Sequence, residues 1–338
     1  MTNAPKIFHG EWWTPAKKYQ RNGFLVSYSE GEGKKFTGTL TYNGNSESVL
    51  ELYHVPSDFH STIYHENEVM WGKDANGILY TLFRVNIKDQ NIADFTNTKF
   101  AVDLILIGEH VLSIDDVCFS RCVVQFPYLR NWAFHNNLNY QRIDCIRHFV
   151  LADACLNAAL VESLVDDNMT WKLQDQSEGS RTTYDLSISQ TTELIVESTK
   201  GFSISKCLKY IKEFSQFLSI ALYCEQNPFK IELFDLKTQR KMLLLFEHVE
   251  SVDPEGSLLI RFSELQKKMP LMLQTWHKNF ESLSPISGYL ITSLKKNRYF
   301  GAPDFLIVAQ ALDGYFKRFV GKNHCCPLKN KAIRPESA

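Results

Sequence analysis

The stretch LRNWAFH sets Arg130, Asn131 and His135 in the order Arg-Asn-x-x-x-His. A histidine beside an arginine, with a polar residue to orient the pair, can cut RNA without a metal. The imidazole handles the proton of the 2′-hydroxyl or the leaving group, and the guanidinium stabilises charge on the phosphate. The same pattern arises by chance in a chain with ten histidines. The plainer reading is that Leu129, Trp132 and Phe134 anchor the end of a β-domain while Arg130 and His135 face water. A second cluster, YHVPSDFHSTIYHENE, holds His54, His60 and His65 with Asp58, Glu66 and Glu68, which could bind a metal or serve an enzyme. A polar, aromatic, exposed loop explains it as well. The eight cysteines contain no Cys-x-x-Cys pair, and four residues of strand separate Cys118 from Cys122 by about 13 Å, too far to share an ion. They read as buried reduced thiols, with no metal and no cofactor expected. GEGKKFTG places Gly31, Gly33 and Gly38 between two strand candidates, the context of a hairpin turn and not of a phosphate loop.

Those residues sit in a chain of 338, long enough for two or three domains. Hydrophobic residues make up 44% and charged ones 22%, with a net charge of −1, so no overall field draws the chain to nucleic acid or an anionic membrane. Its longest apolar runs are of strand length, and no signal peptide opens it. A cytoplasmic protein without membrane contact is expected.

From Phe8 to about Tyr128 the pattern is short and period-two. FTGTLTYN, SVLELYHV, ILYTLFRVN and FAVDLILIG are separated by turn clusters such as Asp74-Ala75-Asn76-Gly77. This predicts an antiparallel β-sandwich or barrel-like domain over 1–150. The segment 143–164 reads as somewhat helical. A second, α+β domain is predicted over 151–300, with strands in MTWKLQ, TELIVES, FKIELFDL and MLLLFEHV. It also contains a helix opened by Ser203 or Ser205 and a helical stretch over 262–283 broken near Pro270. The fold class is therefore α+β.

The last portion, 301–338, holds one helix with Phe305, Val308, Ala309, Leu312, Phe316 and Phe319 at helical spacing. No second helix follows it in KNHCCPLKNKAIRPESA. This is an orphan helix, expected to fold back on the second domain or to self-associate through 305–319. Four tryptophans are the candidate binding residues. Trp12 and Trp13 are adjacent, so on a strand they point to opposite faces; Trp71 and Trp132 lie at strand ends, where binding loops gather. The alternative is that all four are packed.

The order GEWWTP (Gly10 to Pro15), FTGTLTYN, LELYHV, GILYTLFRV, LILIGEHV and VQFPYLRNW resembles the N-terminal domain of ApeA-type proteins. TELIVESTKGFSISKCLKYIKEFSQFLSIAL is similar to the second part of that family, and FLIVAQALDGYFKRF looks like the first helix of its HEPN bundle, with Asp313 where Glu is usual. The resemblance implies the sensing or regulatory portion of a bacterial anti-phage, abortive-infection protein, triggered by a phage component. It implies that RNA is cut only by a HEPN ribonuclease domain, truncated or missing here. In the family the Arg-Asn-x-x-x-His motif lies on a late helix of that bundle, so no catalytic role passes to Arg130, Asn131 or His135. A stand-alone β-rich module that binds a ligand or peptide is the alternative.

Overall fold

The computed structural model describes residues 5–15, 18–21, 24–27, 34–55, 69–90, 97–133, 138–143, 146–151, 159–166, 168–181, 186–251, 253–254, 258–294 and 301–320. The strands are β1 (Lys6–Trp13), β2 (Lys18–Arg21), β3 (Phe24–Ser27), β4 (Phe36–Tyr42), β5 (Ser48–Leu52), β6 (Val69–Asp74), β7 (Leu79–Gln90), β8 (Thr98–Ile107) and β9 (Phe119–Gln125). After a short helix α1 (Leu129–Trp132) come β10 (Leu138–Ile143), β11 (Ile146–Leu151), β12 (Ala159–Asp166), β13 (Met169–Arg181) and β14 (Leu186–Phe202). Helix α2 (Ile204–Leu222), β15 (Lys230–Asp235), β16 (Lys241–Phe246), α3 (Phe262–Leu265), α4 (Met269–Leu294) and α5 (Ala302–Tyr315) follow, and a π-helical turn over Phe316–Val320 ends them.

Six strands close an antiparallel barrel in the order β1-β4-β5-β8-β7-β6, β6 returning to β1. Period-two sequences produce it: in β5, Ser48, Leu50 and Leu52 point inward while Val49 and Glu51 are more exposed. Trp12 fills the interior beside Leu40, Tyr80, Leu82 and Phe100. Its indole lies against two backbones with no side chain. A methyl group on Gly72 of β6 would fall inside the ring, and one on Gly38 of β4 would crowd it.

The barrel does not end where it closes. The first half of β8 bonds to β5 through residues 98–102, and its second half, 104–107, bonds to β16. From β16 a second sheet runs β15-β9-β14-β13-β12, so strands from either side of residue 150 share one hydrogen-bonded surface. The changeover is visible within β7 and β8. Leu82 and Val85 both face the barrel, as do Val102 and Ile105, while Phe83, Leu104 and Leu106 face the second core. Strict alternation cannot place residues three apart on one face. Arg84, at φ 53° in the left-handed region, supplies the slip, opposite Asp103 at 3.8 Å.

Helix α2 covers the second sheet. Ser203 is its N-cap, its hydroxyl accepting from the Lys206 amide at 3.2 Å, as the sequence predicts. Cys207, Ile211, Phe214 and Leu218 belong to the same buried cluster as Cys122, Trp171 and Leu194 of the sheet. Two expectations change. The segment 143–164 is not helical where described: it contributes β11 and β12, because Val161 and Ser163 are buried in alternation and paired with β13. The helical stretch expected to stop at 283 runs on through Pro285 to Leu294. Packing holds it there, since Ile286, Ser287 and Ile291 beyond the proline are buried. The break near Pro270 is real: α3 stops at Leu265 and α4 restarts at Met269, with the proline in its first turn.

Helix α5 rests on α4 by its small side. Ala311 is buried, a Cβ on Gly314 would touch Ile286, and Arg318 beyond it donates to the Ser282 carbonyl at 2.8 Å. The opposite side, where Phe305, Leu312 and Phe316 align, is exposed. Among the described residues α5 thus packs on α4 and leaves its other side exposed. Among the described residues no helix is long and apolar enough to cross a membrane.

Candidate functional site

Trp12 and Trp13 do take opposite faces of β1, but neither meets solvent: Trp12 is barrel core and Trp13 is buried on the outside. There Trp13 pairs across the sheet with Trp71 of β6. The His110 imidazole stacks on Trp71 at 4.8 Å and meets Trp13 edge-on at 5.3 Å, and Lys35 caps Trp13 at 4.7 Å. The Trp71 indole donates to the Val111 carbonyl at 2.9 Å, and His110 bonds the Gly72 carbonyl at 3.0 Å. This cluster pins the segment after β8 to the barrel wall. Trp71 alone of the four is only partly buried. Trp132 is buried, donates to the Ile260 carbonyl at 2.9 Å, and packs edge-on against Phe217 and Phe262.

The catalytic candidates are not brought together in what the structure describes. Arg130 is tied to the Gln190 side chain, Asn131 is exposed, and His135 lies outside the described residues. His60 and His65 also lie outside them, and among the described residues no three His, Cys, Asp or Glu side chains gather to hold a metal.

The chemically unusual place is one the sequence motifs did not mark, the seam between α2 and α4. Glu213 of α2 is fully buried, and its Oε2 meets His277 Nδ1 of α4 at 2.6 Å. Its Oε1 has no partner among the described residues. A polar group taken out of water this completely needs a hydrogen-bond partner, and the His277 imidazole supplies one. Around the pair stand Trp171, edge-on to the imidazole at 6.1 Å, and Tyr210 at 5.4 Å. Burial, with the Asp166 and Glu213 carboxylates nearby, pushes the Tyr210 phenol well above its ordinary range, so it stays protonated.

Polar bonds run along the whole seam. Trp276 donates to the Glu213 carbonyl at 2.9 Å, and Ser287 lies 2.8 Å from Gln216 Oε1. Toward the sheet edge, Ser163 of β12 donates to the Pro270 carbonyl and Gln274 to the Leu164 carbonyl, both at 2.8 Å. At the surface Lys209 and Glu281 pair at 2.6 Å. The Glu281 bond raises the Lys209 ammonium above its usual range and lowers the Glu281 carboxyl below its own. A carboxylate orienting an imidazole is half of an acid–base machine, but no nucleophilic hydroxyl or thiol bonds His277 among the described residues. The arrangement is a clasp: it holds α4, and with it α5, on the body.

One signal for this seam is present in the sequence. Tyr210, Phe217 and Ala221 form a second apolar stripe on α2 beside the one facing the sheet, with Glu213 inside it. A family model described as ApeA N-terminal domain 1 matches residues 7–276. That span contains the barrel, the second sheet and α2, and ends in α4 beside His277. No curated protein and no solved structure matches the chain.

Proposed function

The chain belongs to the ApeA N-terminal domain 1 family, and from that premise we propose that it is the sensing and regulatory portion of an ApeA-like anti-phage protein acting in the cytoplasm. In this reading a phage component binds the barrel and second sheet, and the α4–α5 hairpin carries the response toward a HEPN ribonuclease unit whose first helix is α5. RNA cleavage belongs to that unit and not to Arg130, Asn131 or His135. The observation that carries the proposal is where the family match stops. It covers the body and ends in α4, and the hairpin held by Glu213 and His277 runs past that end, which supports reading the hairpin as the relay.

The test is capture. The purified chain, immobilised, is exposed to lysates of infected and uninfected bacteria, and bound proteins are identified by mass spectrometry. Reproducible enrichment of a phage-encoded protein is expected. No phage-encoded protein across a varied phage panel, or strong RNA cutting by the chain itself, overturns the reading.

A further inference from the structure

Helix α4 is held differently at its two ends. Its first turns are anchored: Met269 and Leu273 lie in the second core, and the Ser163–Pro270 and Gln274–Leu164 bonds tie it to β12. From His277 onward no described residue of α4 or α5 belongs to either core cluster, although Phe280, Ile286 and Ile291 are buried. The bonds from this far part to α2 are polar. They join Glu213 to His277, Ser287 to Gln216, and Lys209 to Glu281 in an exposed ion pair, a kind that contributes little in water.

Parting that surface also relieves a cost. Glu213 is fully buried, its Oε2 meets His277, and its Oε1 has no partner among the described residues. Separated from α4, both oxygens regain water. The contact between α4 and α5 is of the opposite kind. Ala311 is buried, a Cβ on Gly314 would stand 3.8 Å from Ile286, and Arg318 donates to the Ser282 carbonyl. Opening it would put apolar surface into water. We propose that α4 tilts away from α2 about its anchored first turns with α5 still packed on it, so that the molecule opens along the Glu213–His277 seam. The lever is long. About 20 Å of helix separates Gln274 from Ser287, so a tilt of about 10° parts the seam there by about 3 Å, enough to admit water. The inference rests on the reading of the hairpin as the relay, and adds which of its contacts yields and which holds.

Thiol protection in the purified chain reads this without any phage protein. Ser287→Cys puts a nearly isosteric thiol on the face that parts, and Ala311→Cys puts one on the face that stays closed. Native Cys207, fully buried between α2 and the sheet, reports unfolding of the whole. Each variant, checked for an unchanged melting curve, is treated with methyl methanethiosulfonate, and modification of each cysteine is timed by mass spectrometry. The Ser287→Cys thiol is expected to react at least about a hundredfold faster than Cys207, at a rate that low urea barely changes. It should also react at least about tenfold faster than the Ala311→Cys thiol. Protection of the Ser287→Cys thiol equal to that of Cys207 means that the seam opens only with the whole fold, and overturns the inference. This comparison stands even where Ala311→Cys alters the fold. An Ala311→Cys thiol as reactive as the Ser287→Cys one also overturns it, because α5 would then have left α4. Capture of a phage protein by a chain whose seam stays shut would leave the sensing reading standing and sink this one.

Discussion

Removing the His277 imidazole leaves the buried Glu213 side chain with neither oxygen bonded by another side chain among the described residues. His277→Ala is therefore expected to cost about 3 kcal/mol in a chemical denaturation curve, as breaking one side of a buried pair does. Glu213→Gln, which keeps an acceptor and discards the charge, should cost less than half of that. Equal losses from both would mean that packing, not charge, holds the seam. Gly72 offers a second test at this scale. An alanine there must displace the Trp12 ring from the barrel core, so Gly72→Ala should cost at least 2 kcal/mol although it adds one methyl group. Sequence reading reached these residues unevenly. Adjacency fixed that Trp12 and Trp13 face opposite ways, but not that an outward tryptophan would be covered by His110 and Lys35, which come from distant segments. A lone glutamate within an apolar stripe looks like an ordinary interruption until the partner helix supplies its histidine.

Asp235 shows how an element's end can carry a pH dependence. It closes β15 and accepts from the Lys237 amide at 3.0 Å and from the Thr238 hydroxyl at 2.7 Å, shaping the turn into β16. Burial pushes its carboxyl up, but the bonds from Thr238 and Lys237 outweigh it, so the group titrates below the usual carboxylate range. A depressed native value means the stabilisation is complete above the unfolded-state value and vanishes as the pH falls through the native one. Asp235→Asn should lower stability by about 1 kcal/mol at neutral pH. The deficit relative to the parent should shrink in strong acid; a deficit independent of pH would show that the charge contributes nothing. The strands were the most legible elements, because alternating residues and Asp-x-Asn-Gly turns mark them locally. Asp74 Oδ1 accepts from both the Asn76 and Ile78 amides at 2.9 Å, as that turn sequence implies. The region around β12 and the far half of α4 were misread for the same reason. Pairing with β13 and packing against α5 decide them, and neither partner is local.

At the scale of the molecule the sheet is the decisive fact. β9 lies between β14 and β15, and β8 bonds β16, so an amino-terminal piece ending at 150 lacks three strands that its own strands pair with. A fragment of residues 1–150 is expected to be poorly soluble or to lack a cooperative melt, while the full chain shows one principal transition; a well-folded fragment with the parent's cooperativity would argue for independence. A second expectation concerns activity. The purified chain should not cleave RNA, and His135→Ala should leave any trace cleavage unchanged. Cutting that this substitution abolishes would return the Arg130 pattern to consideration. Composition and periodicity reveal an α+β chain with an amino-terminal sandwich or barrel-like domain, and leave the choice between the two to the pairing of β6 with β1. They do not reveal that barrel and second sheet share β8, since a strand that changes partners midway carries no mark except a broken alternation, Val102 and Ile105 facing one side.

That shared strand bears on how the chain is made. During synthesis from the amino terminus, the barrel strands through β8 are all available once residue 107 has emerged, so the barrel can close early. β9 follows at once but must wait for β14 on one side and β15 on the other, until residues up to 235 have left the ribosome. For that interval a strand carrying Cys122, Val123 and Val124 has both edges unpaired, the state in which nascent chains aggregate. Ribosome-bound chains stalled near residue 180 should therefore recruit a holding chaperone more strongly than chains stalled near 110 or 260.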